Sequence, residues 1–175
     1  MIGVGEKFPE FEVPALVGTD VSKTVKLSDY KGKWLFVYFY PLDFTFVCPT
    51  EIKAFSDAVP EFEDRDCVVL GGSCDSVFSH LGWVQAKSEL KGLKHPLIAD
   101  YKKELSNALG ILDKSLGATK RASFIVDPDG VVRFVYVTDL KVGRSPAEVL
   151  RGRDALQTDE LCPCNWKMGD ETLKV

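Results

Sequence analysis

Trp34–Ile52 reads WLFVYFYPLDFTFVCPTEI, and the way this stretch is parsed decides the fold. Its first seven residues, Trp34–Tyr40, are aromatic and β-branched with no polar alternation, which predicts a strand buried on both faces. Pro41 ends the run, and Pro49 suits the first position of a helix. Beyond it Ile52, Phe55, Val59 and Phe62 recur at three- and four-residue steps, the apolar stripe of a helix packed on a core. A buried strand feeding an amphipathic helix through a loop is the basic unit of an α/β domain. Cys48 stands at the end of that loop, directly before the proline.

The same logic extends outward in both directions. EDRD (63–66) breaks the stripe, and CVVLGGSC (Cys67–Cys74) reads as a second buried strand. Asp75 or Ser76 can cap a helix running through Trp83 towards Glu89, and Asp100 opens a shorter one over Leu105 and Leu109. Ala122–Val126 and Val131–Val137 flank DPDG, which is hairpin-turn chemistry. SPAE (Ser145–Glu148) is a capping box with proline at the first helical position, and predicts a helix through Leu156. From Asp159 the chain turns polar and irregular and carries CPCNW. Strands alternating with helices, then an antiparallel hairpin, predict an α/β sandwich with a mixed central sheet.

Composition narrows the function. The chain has 175 residues, most simply one domain, with 45% apolar and 27% charged residues. A net charge of −4 argues against nucleic-acid binding through a basic surface. MIGVGEKFPEF shows no basic region followed by an apolar core, and the run Trp34–Pro41 is too short to span a bilayer, so a cytoplasmic protein with no membrane partner is expected. Five cysteines do not make a disulfide framework, and the two histidines, His80 and His95, lie near no cysteine pair. No metal, flavin, haem or nucleotide motif is present, and GGSC is too short for a phosphate-binding loop; no cofactor is expected.

Cysteines with a role in such a chain are catalytic or redox-active. At a helix start, backbone N–H groups point outward and their partial positive charge favours a thiolate. Thiolate formation alone gives only a modest rate gain, because nucleophilicity falls with basicity. A fast reaction also needs donors aimed at the charge developing on the leaving group. Thr45, three residues upstream, offers a hydroxyl; Arg121, at the head of RASFIVD, is the best basic candidate; Pro41 can close the loop over the sulfur. The alternative is a buried, inert cysteine at a helix start. Cys67 and Cys74 read as small buried hydrophobes.

PLDFTFVCPTEI resembles the active-site segment of the typical two-cysteine peroxiredoxins, with P-x-x-x-T-x-x-C at Pro41, Thr45 and Cys48. Further matches are LSDYKGKW (27–34), DSVFSHLGW (75–83), RASFIVDPDG (121–130), VGRSPAEVLR (142–151) and ELCPCNWKMGD (160–170). The pattern is closest to alkyl hydroperoxide reductase C-type members of the AhpC/TSA family, in the subset with an ELC-x-CNW tail. The resemblance implies a thioredoxin-like domain over 1–158 and a C-terminal arm over 159–175. It implies a thiol peroxidase of hydrogen peroxide and organic hydroperoxides, acting in antioxidant defence. Cys48 would be the peroxidatic cysteine, oxidised to sulfenic acid. Thr45 and Arg121 would hold the peroxide, Pro41 would shield the sulfur, and Glu51 and Arg144 would form a polar network behind it, with Trp83 near the wall.

Cys162, before Pro163, would be the resolving cysteine and would form an intersubunit disulfide with Cys48. Cys164 replaces the more usual alanine and would be a second resolving or relay thiol; a C-x-C metal site is the alternative for this pair. The chain lacks the family's GGLG insertion, having KSELKGLKHP (87–96) there, and no tyrosine–phenylalanine pair follows. That implies disulfide formation outruns over-oxidation. Electrons would come from a disulfide reductant: thioredoxin, a flavoprotein disulfide reductase or a small CxxC protein. A homodimer, in a ring of dimers, is implied; Phe44 and Phe46 would serve the ring contact or pack inward. The rival readings are a ring-forming holdase, a redox sensor, and a disulfide oxidoreductase, which would carry C-x-x-C where this chain has T-x-x-C.

Overall fold

The structure is a computed structural model and describes residues 1–174; Val175, the last residue of the expected arm, lies outside the described residues. The strands are β1 Glu12–Val17, β2 Asp20–Lys26, β3 Trp34–Phe39, β4 Cys67–Ser73, β5 Leu97–Ala99, β6 Leu112–Asp113, β7 Ala118–Thr119, β8 Arg121–Val126 and β9 Val132–Thr138. The α-helices are α1 Val47–Asp57, α2 Val59–Glu63, α3 Val77–Ala86, α4 Glu104–Ala108 and α5 Pro146–Thr158. Seven strands form one mixed sheet in the order β2-β1-β5-β4-β3-β8-β9, and β6 pairs with β7 alone. Within it β3, β4 and β5 are parallel, while β8 and β9 and the β1–β2 hairpin run antiparallel to their neighbours.

β3 explains its own sequence. Phe36, Tyr38 and Tyr40 face a core shared with α1, α2, α3 and α5, and Leu35, Val37 and Phe39 face a second core under α4 and the N-terminal segment. With both faces covered, alternation has no reason to appear. Phe36 meets the rings of Phe55 and Phe62 at 5.0 and 5.1 Å, and Tyr38 meets Phe55 at 4.6 Å. Each such pair adds about 0.5–1.5 kcal/mol beyond its buried area.

Several local expectations are corrected. α1 starts at Val47, so Pro49 is its third residue, not its first. The first-turn N–H groups have no intrahelical partner, so a proline there costs no hydrogen bond. The expected single stripe is split between α1 and α2, with Pro60 in the first turn of α2. Ser76 caps α3, accepting from Ser79 N at 3.2 Å, and that helix ends at Ala86, before a 3-10 turn over Ser88–Leu90. Asp100 accepts from Leu105 N and Ser106 N at the start of α4, although Lys103 is its cap position. The SPAE capping box does not form: Ser145 accepts no capping bond, and Glu148 grips Arg151 at 2.9 and 3.0 Å instead of reaching back to the Ser145 N–H. α5 runs on to Thr158. The strands β1, β2, β5, β6 and β7 lie outside the sequence-based expectations.

Candidate active site

Strand register assembles the site at one end of the sheet. β8 runs antiparallel to β3 with Phe39 opposite Ala122, so Arg121 falls beside the loop that leaves β3. β9 pairs Thr138 with Arg121, which brings the 139–144 loop and Arg144 to the same edge. Cys48 is the second residue of α1 and Glu51 lies one turn further on. The edge outside the carboxyl ends of parallel strands is where α/β sheets usually place their chemistry.

Cys48 is 1% exposed. Arg121 Nη1 donates to its sulfur at 3.4 Å and to Glu51 Oε2 at 2.8 Å, while Arg121 Nε donates to Leu140 O at 2.8 Å. Glu51 is gripped a second time by Arg144, whose Nε and backbone N reach Oε1 at 2.8 Å and whose Nη2 reaches Oε2 at 2.9 Å. Arg144 Nη1 donates to Ala122 O and Ser123 Oγ, and its guanidinium lies over the Tyr38 ring, 5.4 Å from the centroid. Burial alone pushes the Glu51 carboxyl up. The hydrogen bonds and charge of Arg144, with the charge of Arg121, outweigh burial and hold it below the ordinary carboxylate range. Two guanidinium groups against one carboxylate leave one net positive charge beside the sulfur, the counter-ion that an anionic sulfur needs. Both arginines are fixed by carbonyls as well as by Glu51, so the cation is preorganised.

Thr45 lies between Cys48 and Pro41 but does not bond to the sulfur; its hydroxyl donates to Leu42 O at 2.8 Å. Pro41 is buried at the start of the loop. Trp83 is fully buried, 6.0 Å from the rings of Tyr40 and Phe44, and its indole N–H has no partner among the described residues. Phe46 is 92% exposed and Phe44 59%, so Phe46 does not pack inward. All five cysteines are free: Cys67 and Cys74 are buried, Cys162 is half-buried and Cys164 is exposed. Burial pushes the Cys67 thiol up to about 12 and also raises that of Cys74, which disfavours the thiolate at both. Among the described residues no group of three or more His, Cys, Asp or Glu is placed to hold a metal. Among the described residues no helix is long and apolar enough to cross a membrane.

A second buried network had not been foreseen. Tyr40 Oη donates to Asp43 Oδ1 at 2.9 Å, and His80 Nδ1 meets Asp43 Oδ2 at 2.8 Å while Nε2 meets Ile98 O at 3.0 Å. Asp43 N donates to Asp75 Oδ2 at 2.9 Å. These bonds pin the middle of the loop that carries Pro41 and Thr45. The signals were in the sequence: an acid two residues after Pro41, and a histidine one turn before Trp83 on the same helix.

The profile of the AhpC/TSA family matches residues 4–135, which include Cys48, Glu51 and Arg121. Alkyl hydroperoxide reductase C of Mycolicibacterium smegmatis is 48% identical over 99% of this chain and 94% of its own. Thioredoxin peroxidase of Fasciola hepatica is 47% identical over 94% and 88%. The reduced 2-Cys peroxiredoxin of Plasmodium vivax superposes with a TM-score of 0.92 at 38% identity, covering 98% of this chain and 92% of that one. The mixed sheet flanked by helices is thus the thioredoxin-like fold. With a buried cysteine at a helix start, an arginine on its sulfur and relatives matched nearly end to end, the chain belongs to the AhpC/TSA family.

Proposed function

We propose that Cys48 is the peroxidatic cysteine of this peroxiredoxin, and that the 3.4 Å contact from a doubly anchored Arg121 to its sulfur carries that assignment. The enzyme is a thiol-dependent peroxidase. The Cys48 sulfur attacks one oxygen of the hydroperoxide, the O–O bond breaks, and sulfur keeps a hydroxyl as sulfenic acid while water or an alcohol leaves. Arg121 donates to the departing oxygen, and Glu51 and Arg144 hold Arg121 in place. Thr45 supplies a second donor once its hydroxyl turns from the Leu42 carbonyl. Pro41 covers the sulfur and Trp83 backs the wall. Hydrogen peroxide and organic hydroperoxides are the substrates.

Cys162, on the arm 159–175 that follows the 1–158 domain, resolves the sulfenic acid of a partner subunit as a disulfide. Exposed Cys164 is the second thiol, passing that disulfide on to the reductant: thioredoxin, a flavoprotein disulfide reductase or a small CxxC protein. β9 is an edge strand of the sheet, which supports pairing of two subunits, and exposed Phe44, Phe46 and Phe78 support a ring of dimers. The cytoplasm is the compartment that keeps five free thiols reduced. The test is peroxidase turnover of Cys48→Ser with a disulfide reductant. The expected result is complete loss with assembly intact; turnover surviving in the variant would contradict the assignment and favour the holdase reading.

A further inference from the structure

The loop that leaves β3 begins at the Tyr40–Pro41 peptide. Proline has no backbone N–H, so that peptide unit can be held only through the Tyr40 carbonyl. The carbonyl accepts from Thr119 Oγ1 at 2.8 Å. Tyr40 and Thr119 are both fully buried, so solvent does not compete for this bond. The other polar groups of Tyr40 are engaged elsewhere: its N–H donates to Gly72 O at 2.9 Å and its phenol to Asp43 Oδ1 at 2.9 Å.

Thr119 stands two residues before Arg121, and the chain between them has little play. Thr119 pairs with Leu112 across β6 and β7. Lys120 N donates to Ile111 O at 2.9 Å, and Ala122 N donates to Lys120 O at 3.0 Å, a tight three-residue turn around Arg121. The Arg121 guanidinium is then taken up by Leu140 O, Glu51 Oε2 and the Cys48 sulfur. The Thr119 hydroxyl thus connects the peptide that opens the Pro41 loop to the short run that delivers Arg121.

We infer that Thr119 is a positioning residue: its hydroxyl fixes Pro41 relative to Arg121, and this fixed spacing favours hydrogen peroxide over bulky organic hydroperoxides. The inference rests on the reading of Cys48 as the peroxidatic cysteine, with Arg121 and Pro41 around its sulfur. Hydrogen peroxide has no remote group to bind, so its O–O bond is aligned with the sulfur only by the donors and walls that the protein holds in place. An organic hydroperoxide brings an apolar body whose contacts supply part of that alignment. Loosening the spacing therefore costs hydrogen peroxide more.

The test is stopped-flow oxidation of Cys48 in the reduced full chain, with hydrogen peroxide and with cumene hydroperoxide. Thr119→Val keeps the shape and removes the hydroxyl. It should slow the second-order reaction with hydrogen peroxide about tenfold and that with cumene hydroperoxide by less than about threefold. Thr119→Ala, a second hydroxyl-free variant, should shift the ratio of the two rates in the same direction. Thr119→Ser, which keeps the hydroxyl and drops the methyl, should retain the native ratio. A role in packing alone gives the reverse order, with Thr119→Val native and Thr119→Ser impaired, and a loss of folded protein slows both peroxides equally. Either pattern, or native rates in both hydroxyl-free variants, would overturn the inference while leaving Cys48 in its role. Failure of the underlying reading looks different: a native chain in which neither peroxide oxidises Cys48 removes that reading, and the role of Thr119 with it.

Discussion

Glu51 is the residue on which the site's electrostatics turn, because it satisfies two buried guanidinium groups at once. Glu51→Gln keeps the shape and removes the charge, leaving two buried cations without a counter-ion. We expect a loss of about 3–5 kcal/mol in urea unfolding and a fall of about 100-fold or more in the second-order rate with hydrogen peroxide by stopped flow. Because Glu51 titrates below its unfolded value of 4.5, its contribution is complete at neutral pH and is lost only as pH falls below that value and through the folded one. His95 works in a higher window. Burial drives it from 6.5 down to about 3, so it stays neutral, and its Nε2 pairs with Tyr38 Oη at 2.7 Å. Between those two values the unfolded chain binds one more proton than the folded one, so stability falls with pH by about 1.4 kcal/mol per unit. From pH 7 to pH 5 the native protein should therefore lose about 2 kcal/mol more than His95→Gln, whose amide can still pair with Tyr38. Equal losses would refute a neutral His95. Cys48 was legible because motif and helix position both marked it; Arg121 stood out as the cation at the head of RASFIVD, and Glu51 came from the resemblance alone. The bond from Thr45 to Leu42 O was not, since a hydroxyl's partner depends on how the loop folds.

At the scale of elements, β4 shows why two adjacent glycines stand in the middle of a sheet. A Cβ on Gly71 would lie 2.7 Å from the Tyr38 ring and hydroxyl, and one on Gly72 would lie 2.8 Å from Ile98 Cβ. The pair serves close packing between β3, β4 and β5 under the Tyr38–His95 contact, which is the positive reason for GGSC. Gly72→Ala should destabilise by about 1–3 kcal/mol in urea unfolding, as overpacking does; a neutral result would show that β5 can move aside. The strongly apolar elements β3, β4 and β8 were readable because burial on both faces leaves an uninterrupted run. The β1–β2 hairpin was not. β1 holds Pro14, and β2 is largely exposed, with little apolar contrast. β5, at three residues, is too short to carry a period. SPAE marked the start of α5 at Pro146, and only its capping box is missing, with Glu148 paired to Arg151, a contact that a local motif does not weigh.

At the scale of the whole molecule, Phe44 and Phe46 are exposed on the loop before Cys48, so the proposed ring contact and the proposed nucleophile share one segment. Phe46→Asp should convert the proposed ring into dimers in size-exclusion chromatography, and an unchanged elution would place the ring contact elsewhere. The proposed cycle requires a buried Cys48 to be oxidised and then joined to a thiol on a partner's arm. The most direct measurement is peptide mass mapping, with non-reducing and reducing gels, after one equivalent of hydrogen peroxide. A reducible dimer containing a Cys48–Cys162 cross-link is the predicted result. Cys48 left unoxidised, in a protein whose other thiols have reacted, would contradict it.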